Sequence, residues 1–581
     1  MYKELTLVLV PEIALDEENL RAYLKEKLQI QSEDFYIRVR RQSVDARKKD
    51  VKINLQVEVS STPLPLVIEF QKNYPDVQKA KHAIIVGAGP AGLFAALRLI
   101  ELGIKPIVLE RGKDVQTRRR DIAAINKEHL VHPDSNYCFG EGGAGTYSDG
   151  KLYTRSKKRG DINRTLEILV AHGATEQILV DAHPHIGTNK LPKVVAELRE
   201  SILNAGGEIH FNTKVIDFIK IENDLKGVVI QNGKEILGIG VILATGHSAR
   251  DIYELLHARD IRIENKPFAL GVRIEHQQSF VDTCQYQRPE RGILPAASYS
   301  LVAQTKYKGI QRGVYSFCMC PGGFIVPAST APGEIVVNGM SPSRRDSKFA
   351  NSGVVVAVNE PDWQEFKAFG PLAALEFQKS IERRAWELAV SDSKFSDGSF
   401  QSSISSSQSS HFPLPTTINH PTLDTYAEPS RGFKHQTSSN NSNSKHPLSS
   451  STNSQYAPAQ LITDFLNGRV SKALNESSYQ PGLISIDMNN VLPPNIAEPL
   501  KEGIIAFGKK MKGFNSNSGQ LLGIESRTSS PVRIPRNKET LEHITVSRLF
   551  PCGEGAGYAG GIISAAMDGE RCAEALVKIY S

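Results

Sequence analysis

Three glycines with GxGxxG spacing occupy residues 87–92, directly after a short apolar run at 83–86. Gly87 stands where a tight turn is needed, Gly89 lets the backbone approach a pyrophosphate, and Gly92 allows a helix to pack closely on the preceding strand. The N-terminus of that helix, expected at 93–102, would direct unpaired N–H groups at the phosphates. The pattern predicts a dinucleotide site that includes Gly87, Ala88, Gly89, Pro90, Ala91 and Gly92.

A second strand is predicted at residues 106–109 and ends at Glu110. A carboxylate at this position can accept hydrogen bonds from ribose hydroxyls. An isolated glycine motif is weak evidence for nucleotide binding, whereas strand, glycine turn, helix, strand and acid within about 30 residues form a specific signal. We therefore predict a Rossmann-like βαβ unit beginning near Ala83.

Two later segments favour FAD over NAD. Residues 241–246 (VILATG) and 549–562 (LFPCGEGAGYAGGI) resemble the return strand and the C-terminal flavin motif of the two-dinucleotide-binding-domain flavoproteins, whose fold is shared by glutathione reductase and p-hydroxybenzoate hydroxylase. Residues 140–150 (GEGGAGTYSDG) strengthen this match, and 208–215, with Val215 ending a strand, resembles the segment that meets the adenine. The resemblance implies FAD as the cofactor. It adds these binding residues: Glu110, Arg111, Gly142, Gly143, Val215, Ala244, Thr245, Gly246, Gly553, Glu554, Gly561 and Ile562.

Several further motifs are similar to those of a narrower bacterial group, described as FAD-dependent dehydrogenases or uncharacterised flavoproteins. They include HPHIGTNKL (183–191), KPFALGVRIEH (266–276), SFCMCPGG (316–323) and ESRTSSPVRIP (525–535). That group is related to flavoprotein reductases that include bile-acid-modifying members. The resemblance implies a dehydrogenase or reductase and names no substrate.

Four residues are candidates for catalysis, and each has a structural alternative. Arg527 is able to clamp an anionic substrate or to stay in a surface loop. Cys318 and Cys320 form a CxC pair that suits either redox chemistry or simple burial, and no sequence neighbour lowers a thiol pKa. His247 either contacts the flavin or substrate, or caps a helix.

The predicted fold is α/β, with a Rossmann-like FAD-binding domain, an inserted α+β substrate domain and a small N-terminal α+β domain. We expect the N-terminal domain at 1–78, FAD-binding parts at 79–265 and 516–581, and the substrate domain at 266–515. A serine-rich stretch at 391–456 predicts a disordered insertion. No second glycine fingerprint follows a strand, so NAD(P)H is expected only as a transient electron donor.

Composition narrows the class of protein. The chain has 581 residues, 40% of them hydrophobic, and a net charge of +6, which is typical of a soluble enzyme of two or three domains. Six cysteines without a CxxC pair predict no metal site and a reducing, cytoplasmic location. The apolar region 83–100 contains glycines and a proline, so we predict no membrane span.

We expect a small-molecule partner and leave the oligomeric state open. Two alternative functions remain. One is a flavin-dependent RNA-modifying protein that docks RNA on basic residues of the N-terminal domain, although nucleic acid is not the expected partner. The other is a non-catalytic, FAD-stabilised scaffold.

Overall fold

The computed structural model describes residues 1–65, 68–153, 160–396 and 454–581, the side chains of 392–396 excepted. The predicted serine-rich insertion therefore lies mainly outside the described residues. Its described ends are the last turns of a helix that reaches Ser396 and residues 454–456.

The described strands, in chain order, are β1 Tyr2–Leu9, β2 Tyr36–Asp45, β3 Lys52–Ser60, β4 His82–Val86, β5 Lys105–Leu109, β6 Glu208–His210, β7 Val215–Ile221, β8 Asp224–Ile230, β9 Glu235–Leu237, β10 Val241–Leu243, β11 Glu264–Asn265, β12 Phe268–Gln277, β13 Val302–Tyr307, β14 Ile310–Cys320, β15 Phe324–Pro327, β16 Val337–Met340, β17 Phe349–Val358, β18 Ala457–Leu461, β19 Leu483–Ser485, β20 Gln520–Glu525, β21 Val532–Arg533 and β22 Leu549–Pro551. The described α-helices are α1 Pro11–Ala14, α2 Glu17–Leu28, α3 Pro90–Glu101, α4 Arg118–Glu128, α5 Ile162–Ala171, α6 Gln177–Val180, α7 Leu191–Asn204, α8 Arg250–Ala258, α9 Gln278–Tyr286, α10 Ala373–Ser396, α11 Ile462–Leu466, α12 Met488–Val491, α13 Pro494–Lys510 and α14 Ile562–Tyr580.

The N-terminal unit is an antiparallel sheet with strand order β1-β3-β2, and α2 supplies buried Leu20 and Leu24 to the same core. Alternate residues of the segment ending in β3 are buried, as their apolar side chains predict. Asp16 caps α2 by accepting a hydrogen bond from the backbone N–H of Asn19 at 2.9 Å. The sequence pattern therefore accounts for both the buried face and the start of the helix.

The dinucleotide-binding unit has a parallel five-stranded sheet with order β22-β10-β4-β5-β6. Strand β4 is central, and the glycine turn follows it directly. Because parallel strands end at the same edge, the carboxyl ends of β4, β10 and β22 lie side by side. The predicted mixed α/β fold with a Rossmann-like unit is confirmed.

A second, seven-stranded sheet has the order β13-β14-β17-β12-β20-β18-β19 and is antiparallel except for the β18–β19 pair. All of β12 except Gln277 is buried. Helix α13 packs on this sheet and contributes buried Leu500, Ile504 and Phe507 to its core. Long apolar strands covered by helices explain why this sheet can hold charged side chains away from water.

Two predicted domain limits differ from the packing. Strand β20 pairs with β12 and β18 inside the seven-stranded sheet, although residues 516–581 were assigned to the FAD-binding domain. Val77 is 2% exposed within the core of the dinucleotide-binding unit, although 1–78 was assigned to the N-terminal domain. The chain thus stays in the seven-stranded sheet beyond residue 516 and enters the core of the dinucleotide-binding unit before residue 78. Among the described helices, none is both long enough and apolar enough to cross a membrane.

Candidate functional site

The glycine turn after β4 is tightly enclosed on its protein side. Gly87 has φ of +104°, and a β-carbon there would lie 2.5 Å from the carbonyl oxygen of Ala244. A β-carbon on Gly92 would lie 1.9 Å from the carbonyl oxygen of Gly87. Gly89 differs, because no protein atom lies within 4 Å of the position its β-carbon would take. Gly87 and Gly92 therefore bring chain segments together, whereas Gly89 leaves space.

That space belongs to a cavity of about 260 Å³ at the carboxyl edge of the parallel sheet. Most of the predicted binding residues line it, namely Gly87, Gly89, Pro90, Ala91, Glu110, Arg111, Gly143, Val215, Ala244, Thr245, Gly246, Gly553, Glu554, Gly561 and Ile562. Ala88, Gly92 and Gly142 are not in the lining; the N–H of Gly142 donates to the carbonyl of Ala88 at 2.8 Å. These three shape the turn behind the wall.

Two helices begin at the cavity wall. Helix α3 has Gly89 as its N-cap and α14 has Gly561, and neither end receives a side-chain capping hydrogen bond. The positive ends of both helix dipoles therefore face the same space. This is the electrostatic environment that a pyrophosphate and the electron-rich edge of a flavin require.

Glu110 organises the backbone around the turn. It is 5% exposed, and its carboxylate accepts hydrogen bonds from the N–H groups of Ala88, Gly112 and Gly140, each at 2.9 Å. A carboxylate has about four acceptor positions, so one remains for a ligand. The residue predicted to bind ribose also joins three chain segments.

Arg118 holds the glycine-rich loop that follows α4. It is fully buried and donates to the carbonyls of Asn136 at 2.7 Å, Glu141 at 2.9 Å and Gly143 at 3.0 Å. This positions Gly143 at the cavity wall. Arg118 could not be identified from the sequence, because three consecutive arginines on a helix are typical of an exposed face.

Arg111 is fixed by charges rather than free to move. Its guanidinium contacts Asp134 at 2.5 Å and Asp251 at 2.9 Å, and it lies 4.4 Å from the centre of the Phe139 ring. Lys214 also contacts Asp251, at 3.0 Å. Arg111 and Lys214 therefore both line the cavity, in the part where the adenosine end of a dinucleotide would lie.

Val215 lines the cavity. It does not end a strand, although the sequence pattern predicted that it would. Strand β6 ends at His210, and Val215 begins β7. The prediction was wrong because residues 208–215 contain two strands separated by a turn, with Asn212 at φ of +51°. Asn tolerates this left-handed conformation better than most residues.

His247 and Glu554 form a pair at the cavity wall, with His247 Nδ1 3.5 Å from Glu554 Oε1. Burial, with added repulsion from Arg527, lowers the pKa of His247 to about 4. Burial raises the pKa of Glu554 to about 7, against a weaker opposing effect of Lys266. Near neutral pH the pair therefore holds a neutral imidazole beside a carboxyl group that readily takes up a proton.

Replacing Glu554 with glutamine is expected to reduce the pH dependence of folding. The folded carboxyl has a pKa of about 7 and an ordinary value of 4.5. Its contribution to stability is therefore greatest below pH 4.5 and is lost as the pH rises to 7. Urea unfolding of the FAD-free protein at several pH values across this window measures the effect. Glu525 and Glu570 shift in the same direction, so only the difference between wild type and Glu554→Gln reports on Glu554; identical pH profiles would contradict the assignment.

Arg527 lies in the cavity wall, but its donors point into a buried ionic cluster. It contacts Glu334 at 2.6 Å, Glu382 at 3.0 Å and the hydroxyl of Thr330 at 2.8 Å. Arg250 contacts the same two carboxylates, at 3.1 and 2.7 Å. Arg527 is therefore neither free to bind an anionic substrate nor part of a surface loop, and both alternatives from the sequence differ from the structure.

Cys318 and Cys320 lie at the end of β14, next to the same cavity. Cys318 is half-buried in the cavity wall, while Cys320 is buried behind it. Lys151 Nζ lies 3.6 Å from both sulfurs. The expectation that nothing nearby lowers a thiol pKa was wrong, because the cation comes from a segment 167 residues earlier.

Other wall residues were not singled out from the sequence, although some lie within the motifs quoted above. They include Cys138, Phe139 and Ser148 of the 138–148 loop, Lys214 before β7, Asn338 of β16, and Phe317 and Glu525 of the seven-stranded sheet. The seven-stranded sheet thus closes the cavity on the side opposite the glycine turn.

One group of potential metal ligands occurs among the described residues: Cys552, Asp568 and Cys572. The guanidinium of Arg536 already contacts Asp568 at 2.6 Å and lies 3.3 Å from the Cys572 sulfur. The guanidinium of Arg536 therefore already contacts two of the three groups that a metal ion would need.

The cavity residues fit a bound FAD. Gly89 leaves room for a phosphate against the backbone, two uncapped helix ends supply partial positive charge, and Glu110 keeps a free acceptor position. Arg111 and Lys214, paired with Asp134 and Asp251, also line the cavity and can donate hydrogen bonds there.

Comparison with known proteins agrees with this fit. Residues 81–125 match an FAD binding domain family, 267–428 and 419–528 match the family "FAD-dependent protein, C-terminal domain-like", and 1–60 match a domain of unknown function. The chain is 30% identical over 193 residues to thiamine thiazole synthase of Methanococcus vannielii, covering 31% of this chain and 62% of that protein. It therefore spans less than two thirds of that relative.

Two solved structures are also similar in part. THI4 of Thermovibrio ammonificans has 18% identity and a TM-score of 0.23 over 32% of this chain and 66% of that one. The flavin-dependent brominase Bmp2 has 14% identity and a TM-score of 0.26 over 51% and 60%.

The fold, the cavity and the matching families define an FAD-dependent flavoprotein. Within that class, an uncharacterized protein of Clostridium beijerinckii is 37% identical over 591 residues, which is 98% of both chains. This chain belongs to the same family as the Clostridium beijerinckii protein.

Proposed function

We propose that this flavoprotein is an oxidoreductase, a dehydrogenase or reductase, that acts on a small or medium organic molecule. One observation carries the proposal: a single cavity connects the glycine turn with Cys318 and Glu525 of the seven-stranded sheet and with Asn338 of the neighbouring strand β16. Bound FAD supplies the electron-transfer chemistry. The sheet side of the cavity then orients the substrate.

The protein groups in this part of the cavity can hold and move a proton. Burial raises the pKa of Glu525 to about 7, against the opposing charge of Arg273, and Glu554 behaves similarly. Groups with a pKa near the working pH are efficient proton donors and acceptors. We assign the proton transfers that accompany substrate oxidation or reduction to these two carboxyl groups.

The two alternatives make different predictions. An RNA-docking function needs a free basic face, yet Arg40 contacts Glu58 at 2.8 Å and Arg38 lies 3.5 Å from the same carboxylate. A scaffold function needs no reactive group in the cavity. The ammonium of Lys151 beside the Cys318 sulfur therefore favours a catalytic function over a scaffold.

The test is a visible spectrum of the purified protein, followed by anaerobic addition of NADH and then NADPH as transient donors. We expect oxidised-flavin bands that bleach with one of the two nucleotides and recover when an organic acceptor is added. Flavin bands that stay oxidised with both nucleotides and with a panel of reduced organic substrates would contradict the oxidoreductase proposal and favour the scaffold. Binding of tRNA that weakens steeply with salt would favour the RNA alternative.

A further inference from the structure

A β-bulge brings the two CxC sulfurs to one place. Along β14 and β17, Phe317 pairs with Gly353 and Cys320 pairs with Asn351, so β14 carries one extra residue between these pairs. Cys318 takes up the extra length with φ of +47°. A β-bulge of this kind re-aims a side chain, and here it turns Cys318 toward the cavity and the ammonium of Lys151.

Two cations stabilise negative charge on this sulfur pair. Lys151 Nζ lies 3.6 Å from each sulfur, and Arg273 Nη2 lies 3.6 Å from Cys320 Sγ and 2.7 Å from the carbonyl oxygen of Cys318. The Cys320 thiol donates to the carbonyl oxygen of Cys318 at 3.2 Å. The neighbouring Cys320 side chain, helped by the charges of Lys151 and Arg273, lowers the pKa of Cys318 well below its ordinary value. The proximity of Cys318, together with burial, raises the pKa of Cys320. Of the two sulfurs, Cys318 is therefore the one whose ionised form this environment favours.

Four neighbouring strands build this arrangement. Cys318 and Cys320 come from β14, Asn351 from β17, Arg273 from β12 and Glu525 from β20. Arg273 is fully buried, donates to Asn351 at 2.7 Å and forms an ion pair with Glu525. Such a network holds the cation beside the sulfurs with little freedom to move.

Another cysteine of the same cavity lacks these features. Cys552 lines the wall near the flavin motif and is fully buried. Its contact with Cys572, together with burial, raises its pKa well above the ordinary value. Cys318 is therefore distinguished by its charge environment as well as by its exposure to the cavity.

We propose that Cys318 and Cys320 form a redox-active dithiol that exchanges electrons with a disulfide substrate bound in the FAD cavity. The inference rests on the proposed function, because it names the substrate class for that cavity. The Cys318 thiolate attacks one sulfur of the substrate disulfide, and the first substrate thiolate leaves. Cys320 passes its proton to this leaving thiolate and attacks Cys318, so that the second substrate thiolate leaves and a Cys318–Cys320 disulfide forms. The substrate disulfide gains two electrons, the cysteine pair loses two, and exchange with a dithiol reverses the step.

The test uses the full-length, FAD-loaded protein with glutathione as the probe. Samples are equilibrated anaerobically at graded ratios of reduced to oxidised glutathione, quenched in acid, denatured and alkylated with N-ethylmaleimide. All six cysteines should be alkylated under reducing conditions, and two fewer under oxidising conditions, with the lost sites mapped by peptide mass to 318 and 320. Cys318→Ser and Cys320→Ser should each abolish this paired loss, and Cys284→Ser should retain it.

Two outcomes overturn the inference: six alkylated cysteines at every ratio, or a glutathione adduct on Cys318 alone. Native-state alkylation by iodoacetamide adds a second readout. Lys151→Met should slow modification of Cys318 at neutral pH by up to ~10-fold if the lost charge raises the thiol pKa by about one unit, while Lys151→Arg should keep most of the rate.

Flavin spectra of the same samples separate this inference from the proposed function. A flavin that bleaches with NADH or NADPH while all six cysteines remain reactive would refute only the dithiol. A cysteine pair that oxidises beside an unreactive flavin would refute only the proposed use of NAD(P)H and organic substrates.

Discussion

Gly89→Ala is expected to lose FAD while keeping its fold. Gly89 has φ of −74° and ψ of −176°, which alanine adopts without strain, and no protein atom lies within 4 Å of the added methyl group. The methyl group would occupy the space in which the backbone meets the pyrophosphate. An overpacking penalty of about 1–3 kcal/mol corresponds to an increase of about 5- to 150-fold in the Kd for FAD. Fluorescence titration of the FAD-free protein measures this constant.

Two further glycine variants complete that experiment. Gly313→Ala lies on β14, with Gln304 Nε2 at 4.0 Å as its nearest contact, and should leave both FAD affinity and stability unchanged. Gly92→Ala places a methyl group 1.9 Å from the carbonyl oxygen of Gly87 and should damage folding as well as binding. If Gly89→Ala binds FAD as tightly as wild type, the phosphate does not lie against this turn.

Arg527→Met is expected to destabilise the protein by about 3–5 kcal/mol, the usual effect of removing one partner from a buried ion pair. Arg527 is 9% exposed and Glu382 is fully buried. Without Arg527, Arg250 alone must compensate Glu334 and Glu382. Chemical unfolding of the FAD-free protein measures the loss, and Arg527→Lys should lose less because it keeps the charge.

A surface pair provides the control for Arg527. Lys348 pairs with Glu476, and the two side chains are 55% and 66% exposed, so Lys348→Met should cost less than about 1 kcal/mol. The double variant Arg527→Met, Glu334→Gln should recover part of the loss, since it removes one uncompensated carboxylate. If Arg527→Met folds as stably as wild type and loses only turnover, Arg527 acts on the substrate and the ionic cluster is secondary.

Much of the cavity lining could be predicted because its determinants are local in sequence. Gly87, Gly89 and Gly92 each have a task set by the two or three residues around them, and Glu110 follows a short strand. The same holds for Gly561, which precedes an amphipathic helix and is found as its N-cap. The prediction that Val215 ends a strand was wrong, because a turn within eight residues hardly changes the hydropathy pattern.

The surroundings of Cys318 could not be predicted, because they depend on strand order. Arg273, Asn351 and Glu525 are far apart in sequence and meet only because β12, β17 and β20 are neighbours in one sheet. The positive φ of Cys318 could not be predicted either, since cysteine is not among the residues that favour this conformation. Arg527 was misinterpreted for the same reason: its partners Glu334 and Glu382 lie on distant segments.

The parallel sheet is completed by β22, which pairs with β10 at its edge, and the cavity wall by the residues that follow β22. Arg98 and Glu574, hydrogen bonded at 2.9 Å, are 476 residues apart in the chain. At a synthesis rate of about 5–20 residues per second, the ribosome makes the glycine turn on the order of 20–90 s before it makes this last wall. From its own synthesis until β22 is made, the edge of β10 has no partner, and an open strand edge invites association with other chains. The complete cavity therefore forms only near the end of translation, because the residues after β22 are among the last to be made.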